Sequence, residues 1–124
     1  MADDARVICA SAEVAEGGAG VRFELPTGSP AFVVRYLGKL RAYVNRCPHA
    51  GTELDWQPGE FFDETGLYLI CSTHGALFEP GSGRCVAGPC RGAMLEPLAI
   101  REGDGSVTVA GRLGPRSAPE AETP

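Results

Sequence analysis

Apolar residues recur along this chain in short runs, and nearly every run is closed by glycine, proline or an acidic turn. Residues 6–10 read as a first strand, and 21–25 place Arg22 and Glu24 outward between apolar neighbours, the period of a half-buried strand. Two β-rich runs, 32–36 and 40–44, are separated by Leu37-Gly38-Lys39, which predicts a hairpin. Residues 67–70 read as a fully apolar strand after a turn at 63–66. Residues 76–79 and 84–86 flank a tight turn at 80–83, and 95–101 with 106–110 form a last hairpin around Gly103-Asp104-Gly105. Segment 53–62 is ambiguous, and 11–16 allows one turn of helix at most. No stretch carries the 3.6-residue period of an amphipathic helix, so the expected fold class is all-β.

Apolar periodicity stops at Gly111, where Pro, Glu, Ala and Arg accumulate, so a folded domain over 1–110 and a flexible tail over 111–124 are expected. A chain of 124 residues has room for one domain. No apolar run approaches the roughly 18 residues of a membrane span. The start, Met1-Ala-Asp-Asp, is acidic where a secretory signal would be basic and then apolar. A cytoplasmic protein with no membrane partner is the expectation. Eleven Lys and Arg against sixteen Asp and Glu give a net charge of −5. That balance lacks the basic footprint that neutralises phosphates, so a nucleic-acid partner is excluded.

Five Cys and two His change the picture. In a reducing compartment, cysteines are read as metal or redox sites before disulfides. Cys47-Pro-His49 sets a thiol and an imidazole two positions apart on loop 45–52, and Cys71-Ser-Thr-His74 sets another pair three positions apart on loop 71–75. Each pair ends a predicted strand and is followed by a glycine, Gly51 or Gly75, which permits tight backbone beside a bulky ligand. Both histidines of the chain fall in these pairs. The four side chains could hold one tetrahedral zinc in a Cys2His2 interaction module. They could also hold a [2Fe–2S] cluster, Cys47 and Cys71 on one iron and His49 and His74 on the other. Zinc pairs are commonly of one ligand type, whereas each loop here mixes the two and so reaches both irons. The mixture favours the cluster. A four-cysteine cluster of Cys47, Cys71, Cys85 and Cys90 lacks the Cys-x4-Cys-x2-Cys run. Cys9 is expected as a buried thiol, and Cys85 and Cys90, around loop 88–92, could pair or stay free, with free thiols favoured in a reducing compartment. Trp56, Phe61 and Phe62 read as core, and Arg46 and Arg91 as solvated surface charge.

Carried by these residues, the sequence resembles the Rieske family. Cys47-Pro-His49-Ala-Gly51 and Cys71-Ser-Thr-His74-Gly75 are similar to its two ligand boxes, and Gly88-Pro89 sits where that family has a proline-containing loop covering the cluster. The resemblance implies three small antiparallel β-sheets, with one [2Fe–2S] cluster near the tip of a sub-domain formed by the two ligand loops. It also implies that the electron resides on the histidine-bound iron, with the outer imidazole nitrogens as its exit. One branch of the family carries a further Cys in each box, joined as a disulfide, and here Thr52 and Thr73 stand in those places. The same branch directs a Ser and a Tyr hydroxyl at the cluster and its Cys ligand. Here those positions are Ala76 and Phe78, near the cluster by this resemblance, and neither side chain has a donor. The implied potential is nearer about −150 mV than +300 mV.

The function read from this set is that of a soluble Rieske-type ferredoxin, passing one electron at a time from a flavoprotein reductase to a terminal oxygenase or similar acceptor. Such a carrier would be monomeric or weakly associated, an electron-transfer component rather than an enzyme by itself. Its acidic charge favours partners with basic patches. The alternative is a redox subunit of an enzyme complex, such as the small subunit of an NAD(P)H nitrite reductase. A self-contained Rieske oxygenase is excluded, because its mononuclear iron needs two further His and a carboxylate, and both His are already committed.

Overall fold

The chain alternates short strands with glycine-bearing turns, and a computed structural model describes residues 6–48, 51–55, 57–71, 75–88 and 91–112, the last three by backbone alone. The strands are β1 Arg6–Ala10, β2 Val21–Glu24, β3 Pro30–Tyr36, β4 Lys39–Val44, β5 Leu69–Ile70, β6 Leu77–Phe78, β7 Cys85–Ala87, β8 Leu98–Gly103 and β9 Ser106–Arg112. They form three three-stranded sheets ordered β1-β9-β8, β2-β3-β4 and β5-β6-β7, each pairing antiparallel. This is the all-β, three-sheet architecture expected from the sequence. Among the described residues the one helical turn, Ser11–Glu13, is 3-10, and no helix is long and apolar enough to cross a membrane.

β3 explains how the sheets share a core. Ala31, Phe32, Val33 and Val34 are all fully buried, because this strand is covered on both faces and so reads as a continuous apolar run. Ala31 and Val33 join Cys9, Val44, Leu98, Val107 and Val109 in one core cluster, which ties the sheet of β2–β4 to that of β1, β8 and β9. Phe32 and Val34 join the other cluster, with Tyr43, Leu54, Phe61, Leu69, Phe78 and Leu95. The second cluster carries the cysteine-bearing loops. The expected core role of Phe61 and Phe62 holds; Trp56 lies outside the described residues.

Two hairpins are tighter than the sequence suggested. Tyr36 pairs with Lys39, leaving Leu37-Gly38 as a two-residue turn with φ of 52° and 78°. Positive φ at both positions is the twist that matches paired strands. Leucine is costly there, and the Glu16 carboxylate compensates by accepting both turn N–H groups, at 2.7 Å from Leu37 and 2.8 Å from Gly38. Asp104-Gly105 makes the same turn between β8 and β9. Beyond it, β9 continues through Gly111 and Arg112, opposite Ala99 and Leu98. The rest of the expected tail, 113–124, lies outside the described residues.

The strand expected over 67–70 shrinks to Leu69–Ile70. Asp63 Oδ1 accepts hydrogen bonds from the Thr65 hydroxyl at 2.7 Å and from the Gly66 N–H at 3.1 Å, and Asp63 N–H donates to Tyr68 O at 2.9 Å. That turn consumes the main chain up to Tyr68 and leaves Leu67 exposed.

An exposed staple ties the 3-10 turn to β3 and β8. The Arg35 guanidinium donates to Glu102 at 2.8 and 3.2 Å, to Val14 O at 2.8 Å and to Ser11 O at 3.2 Å, and the Ser11 hydroxyl also donates to Glu102. The hydrogen bond from Arg35, followed by that from Ser11, lowers the Glu102 pKa to about 2 from its ordinary 4.5. A folded value below the unfolded one means the stabilisation is complete above pH 4.5 and is lost as pH falls toward 2. Urea unfolding of Glu102→Gln is therefore expected to fall short of wild type by a small, salt-sensitive margin at pH 6, and the difference vanishes near pH 2.

Candidate metal centre

Both cysteine loops begin where a strand ends, and their main chains close in the same way. In the first loop the Cys47 N–H donates to Thr52 O at 2.7 Å, and the Gly51 N–H returns to Cys47 O at 2.7 Å. In the second the Cys71 N–H donates to Ala76 O at 2.9 Å, and the Gly75 N–H returns to Cys71 O at 2.8 Å. Each cysteine is thus bonded to the residues four and five positions ahead, and each glycine sits at positive φ, 75° for Gly51 and 71° for Gly75. Glycine reaches that region without a Cβ penalty, which accounts for a glycine four residues after each cysteine.

Cys47 and Cys71 are both 0% exposed and belong to one core cluster with Ala76, Phe78 and Cys85. Two thiols in apolar surroundings, at matched positions of two matched loops, fit a group that needs a pair of sulfur ligands and exclusion of water. The donor set therefore suits an iron–sulfur cluster on the sulfur side. His49 and His74, expected as the imidazole ligands, lie outside the described residues, as do Thr73, Pro89 and Cys90.

The third loop packs onto the second through a single glycine. Gly88 has φ 103°, and a Cβ built there would lie 2.8 Å from Ala76 Cα and 3.2 Å from Ala76 Cβ. Only glycine at 88 beside a small residue at 76 allows this approach. The base of the loop is closed by the Cys85 N–H donating to Ala93 O at 2.8 Å and the Gly92 N–H donating to Cys85 O at 3.0 Å. Cys85 is buried and directs its S–H to Ala87 O at 3.2 Å. Cys9 lies in the other core cluster, where burial and then Glu13 raise its thiol pKa. Arg46 and Arg91 are exposed, as surface charge should be.

Tyr43 joins the sheet of β2–β4 to the turn between β6 and β7. Its hydroxyl donates to Pro80 O at 2.6 Å, and burial holds its pKa well above the usual tyrosine value. The ring lies against Gly83, where a Cβ would meet it at 2.7 Å. A groove beside the second loop is lined by Cys71, Gly75, Phe62, Glu60, Asp63 and Glu64.

Sequence reasoning did not single out the residues that close the first loop. Asn45 is 1% exposed, and its Oδ1 accepts the Leu54 N–H at 2.8 Å while its Nδ2 donates to Asp55 Oδ1 at 3.2 Å. Asp55 Oδ2 accepts the Gly59 N–H at 3.1 Å and lies 3.6 Å from Arg22 Nε. The one available sign was a polar residue, Asn45, ending the apolar run Ala42-Tyr43-Val44 just before Cys47.

Comparison with known proteins agrees with this geometry. A family model described as Rieske [2Fe-2S] domain matches residues 4–107. Oxidoreductase NdmD of Pseudomonas putida is 36% identical over 64 residues, 52% of this chain and 10% of that protein, so the match spans about a tenth of that relative's length. Among solved structures, the ferredoxin of carbazole 1,9a-dioxygenase from Nocardioides aromaticivorans IC177 superposes with a TM-score of 0.71 at 22% identity, covering 87% of this chain and 98% of that one. A chain from the complex of reduced oxygenase and oxidized ferredoxin in carbazole 1,9a-dioxygenase gives 0.72 at 23%, covering 88% and 94%. The terminal oxygenase of carbazole 1,9a-dioxygenase from Novosphingobium sp. KA1 gives 0.74 at 24%, with coverages of 87% and 30%. At these identities the likeness is one of fold.

Proposed function

The chain belongs to the Rieske [2Fe-2S] domain family, and from that membership we propose that it is a cytoplasmic one-electron carrier between a flavoprotein reductase and a terminal oxygenase or similar acceptor. The observation that carries the proposal is the pair of matched loops, each presenting a fully buried cysteine from the same hydrogen-bonded turn. Cys47 and Cys71 hold one iron in this reading, and His49 and His74 hold the other. When bound, the [2Fe–2S] cluster supplies one-electron redox chemistry. The chain's own residues bury the sulfur side, close both loops and keep water away. Gly88, seated on Ala76, packs the start of the third loop against the second loop, and in this reading Pro89 belongs to the covering loop.

The partner assignment draws on two things. The fold matches, along nearly its whole length, a protein named as the ferredoxin of a dioxygenase system. The carboxylates Glu60, Asp63 and Glu64, which line the groove that reaches Cys71, and the net charge of −5 suit a basic docking surface on the acceptor. The cytoplasmic location rests on thiolates that need a reducing compartment until they are loaded. A second reading has its own observation: the matched segment is a tenth of Oxidoreductase NdmD, so a segment similar to part of this chain also occurs within a longer oxidoreductase. Tight co-purification with a larger chain on gel filtration would favour that reading.

The test is reconstitution with iron and sulfide, then EPR with nitrogen hyperfine spectroscopy of the dithionite-reduced protein. The expected result is a [2Fe–2S] signal coupled to two imidazole nitrogens, one lost in each of His49→Ala and His74→Ala. A colourless, sulfide-free protein overturns the reading. Electron transfer to the acceptor is expected to slow as ionic strength rises.

A further inference from the structure

The two loops share one turn but not one foundation. The second loop springs from paired strands, because Ile70 lies opposite Leu77 and Leu69 opposite Phe78, so a main-chain ladder clamps its base. The first loop leaves β4 at Val44 and returns through residues 53–55, where no strand receives it. The far side of β4 is occupied by β3, and Val44 donates its N–H to Glu96 O. Among the described residues no ladder remains to close the base of the loop.

We infer that Asn45 takes the place of that missing ladder and is the positioning residue of the first loop, holding Cys47 in its ligand geometry through the Asn45–Asp55–Arg22 network. The inference rests on the reading of this loop as a ligand loop. Asn45 is itself anchored to the sheet, its main-chain N–H donating to Pro30 O at 2.8 Å. Its side chain then grips the returning segment of the loop at two successive residues, the Leu54 N–H and the Asp55 carboxylate. Asp55, whose side chain is 2% exposed, passes the constraint on to Gly59 and to Arg22, and Arg22 also bonds Glu53 at 2.8 Å. Residues 53, 54, 55 and 59 are thereby all tied to β2 or to the end of β4.

The chemistry at position 45 is specific. One arm must accept from an N–H and the other must donate to a carboxylate, with both partners withdrawn from water. Only an amide does both at this size. Aspartate keeps the acceptor for Leu54 but sets a second carboxylate against Asp55. Leucine removes the Asn45 partner from both the buried Leu54 N–H and Asp55 Oδ1, a loss larger than the gain from one hydrogen bond.

Hydrogen exchange measured by mass spectrometry on the full-length reconstituted chain tests this. In Asn45→Asp, a peptide covering 45–54 is expected to exchange about tenfold faster, with a peptide covering 70–77 within about twofold of wild type. The swapped double variant Asn45→Asp with Asp55→Asn restores the complementary donor and acceptor, and returns the first peptide to within about threefold. Release of iron from Asn45→Asp into chelator is expected to be about tenfold faster than from wild type. A merely structural residue would speed both peptides alike, and the swap would not rescue. Either of those results, or unchanged exchange of 45–54, overturns the inference. Should Asn45→Asp fail to fold, Arg22→Leu removes the exposed end of the network; about threefold faster exchange confined to 45–54 supports the inference, and none overturns it. The peptides report whether or not the chain takes up iron, so a failed carrier reading and a failed positioning role give different results.

Discussion

Cys71→Ala is expected to fold, and to hold less than about a tenth of the roughly two irons per chain that a [2Fe–2S] centre contains. The cysteine is fully buried, and the second loop offers no other sulfur. Removing its Sγ leaves the turn intact, since the Cys71 N–H to Ala76 O and Gly75 N–H to Cys71 O bonds are main-chain. The ladder of β5 and β6 beneath is untouched as well. Loss of one buried sulfur from a packed cluster costs about 1 kcal/mol, too little to unfold a domain of ordinary stability. Cys47→Ala is expected to behave alike, because the first loop repeats the arrangement. Cys85→Ala is the informative control: it removes a buried thiol from the same core cluster, yet iron and colour should persist. Iron analysis and visible absorbance after reconstitution read all three. Loss of iron in Cys85→Ala would replace the two-Cys, two-His centre with one that uses more cysteines.

The parts of this molecule that a linear reading catches are those whose chemistry is written locally. Each loop announces itself within five residues: a thiol, an imidazole, and a glycine where the main chain must turn through positive φ. The hairpin at Leu37-Gly38 and the one at Asp104-Gly105 are equally local, although their two-residue length appears only when Tyr36 is seen opposite Lys39. What a linear reading misses depends on distant partners. Leu67 looks like strand until Asp63 draws the following main chain into a turn. Arg22 alternates correctly as an outward residue, but its charge is committed to Glu53 and Asp55, more than thirty positions away.

Gly20 is a further case. A Cβ there would lie 2.9 Å from Phe61, from Val34 and from the Val33 carbonyl. Nothing in Gly17-Gly18-Ala19-Gly20 tells which glycine is needed for close passage and which for turning. β3 presents the same difficulty at the level of the core. Its run of buried residues belongs to two clusters, one facing β1, β8 and β9 and the other facing the cysteine loops, and only the folded chain separates the odd from the even positions.

Phe78→Tyr is expected to raise the midpoint potential by about 60 mV. Phe78 is 0% exposed, pairs with Cys85 and Leu69, and shares a core cluster with both Cys47 and Cys71. Neither it nor Ala76 carries a hydroxyl, so the side chains around the sulfurs at these two positions donate no hydrogen bond. A donor aimed at a sulfur favours the state with more negative charge, which is the reduced one. A difference of about 1.4 kcal/mol between the two states, within the range for hydrogen bonds to charged groups, corresponds to about 59 mV for one electron. Ala76→Ser should act in the same direction, and the pair should add if the two hydroxyls reach different acceptors. The added oxygen at 78 enters a packed interior, so some loss of thermal stability accompanies the shift. The two effects separate cleanly: a hydroxyl that finds no sulfur lowers the unfolding midpoint and leaves the potential where it was. A redox titration of wild type and Phe78→Tyr, run beside their thermal melts, decides between a tuned centre and a merely crowded one.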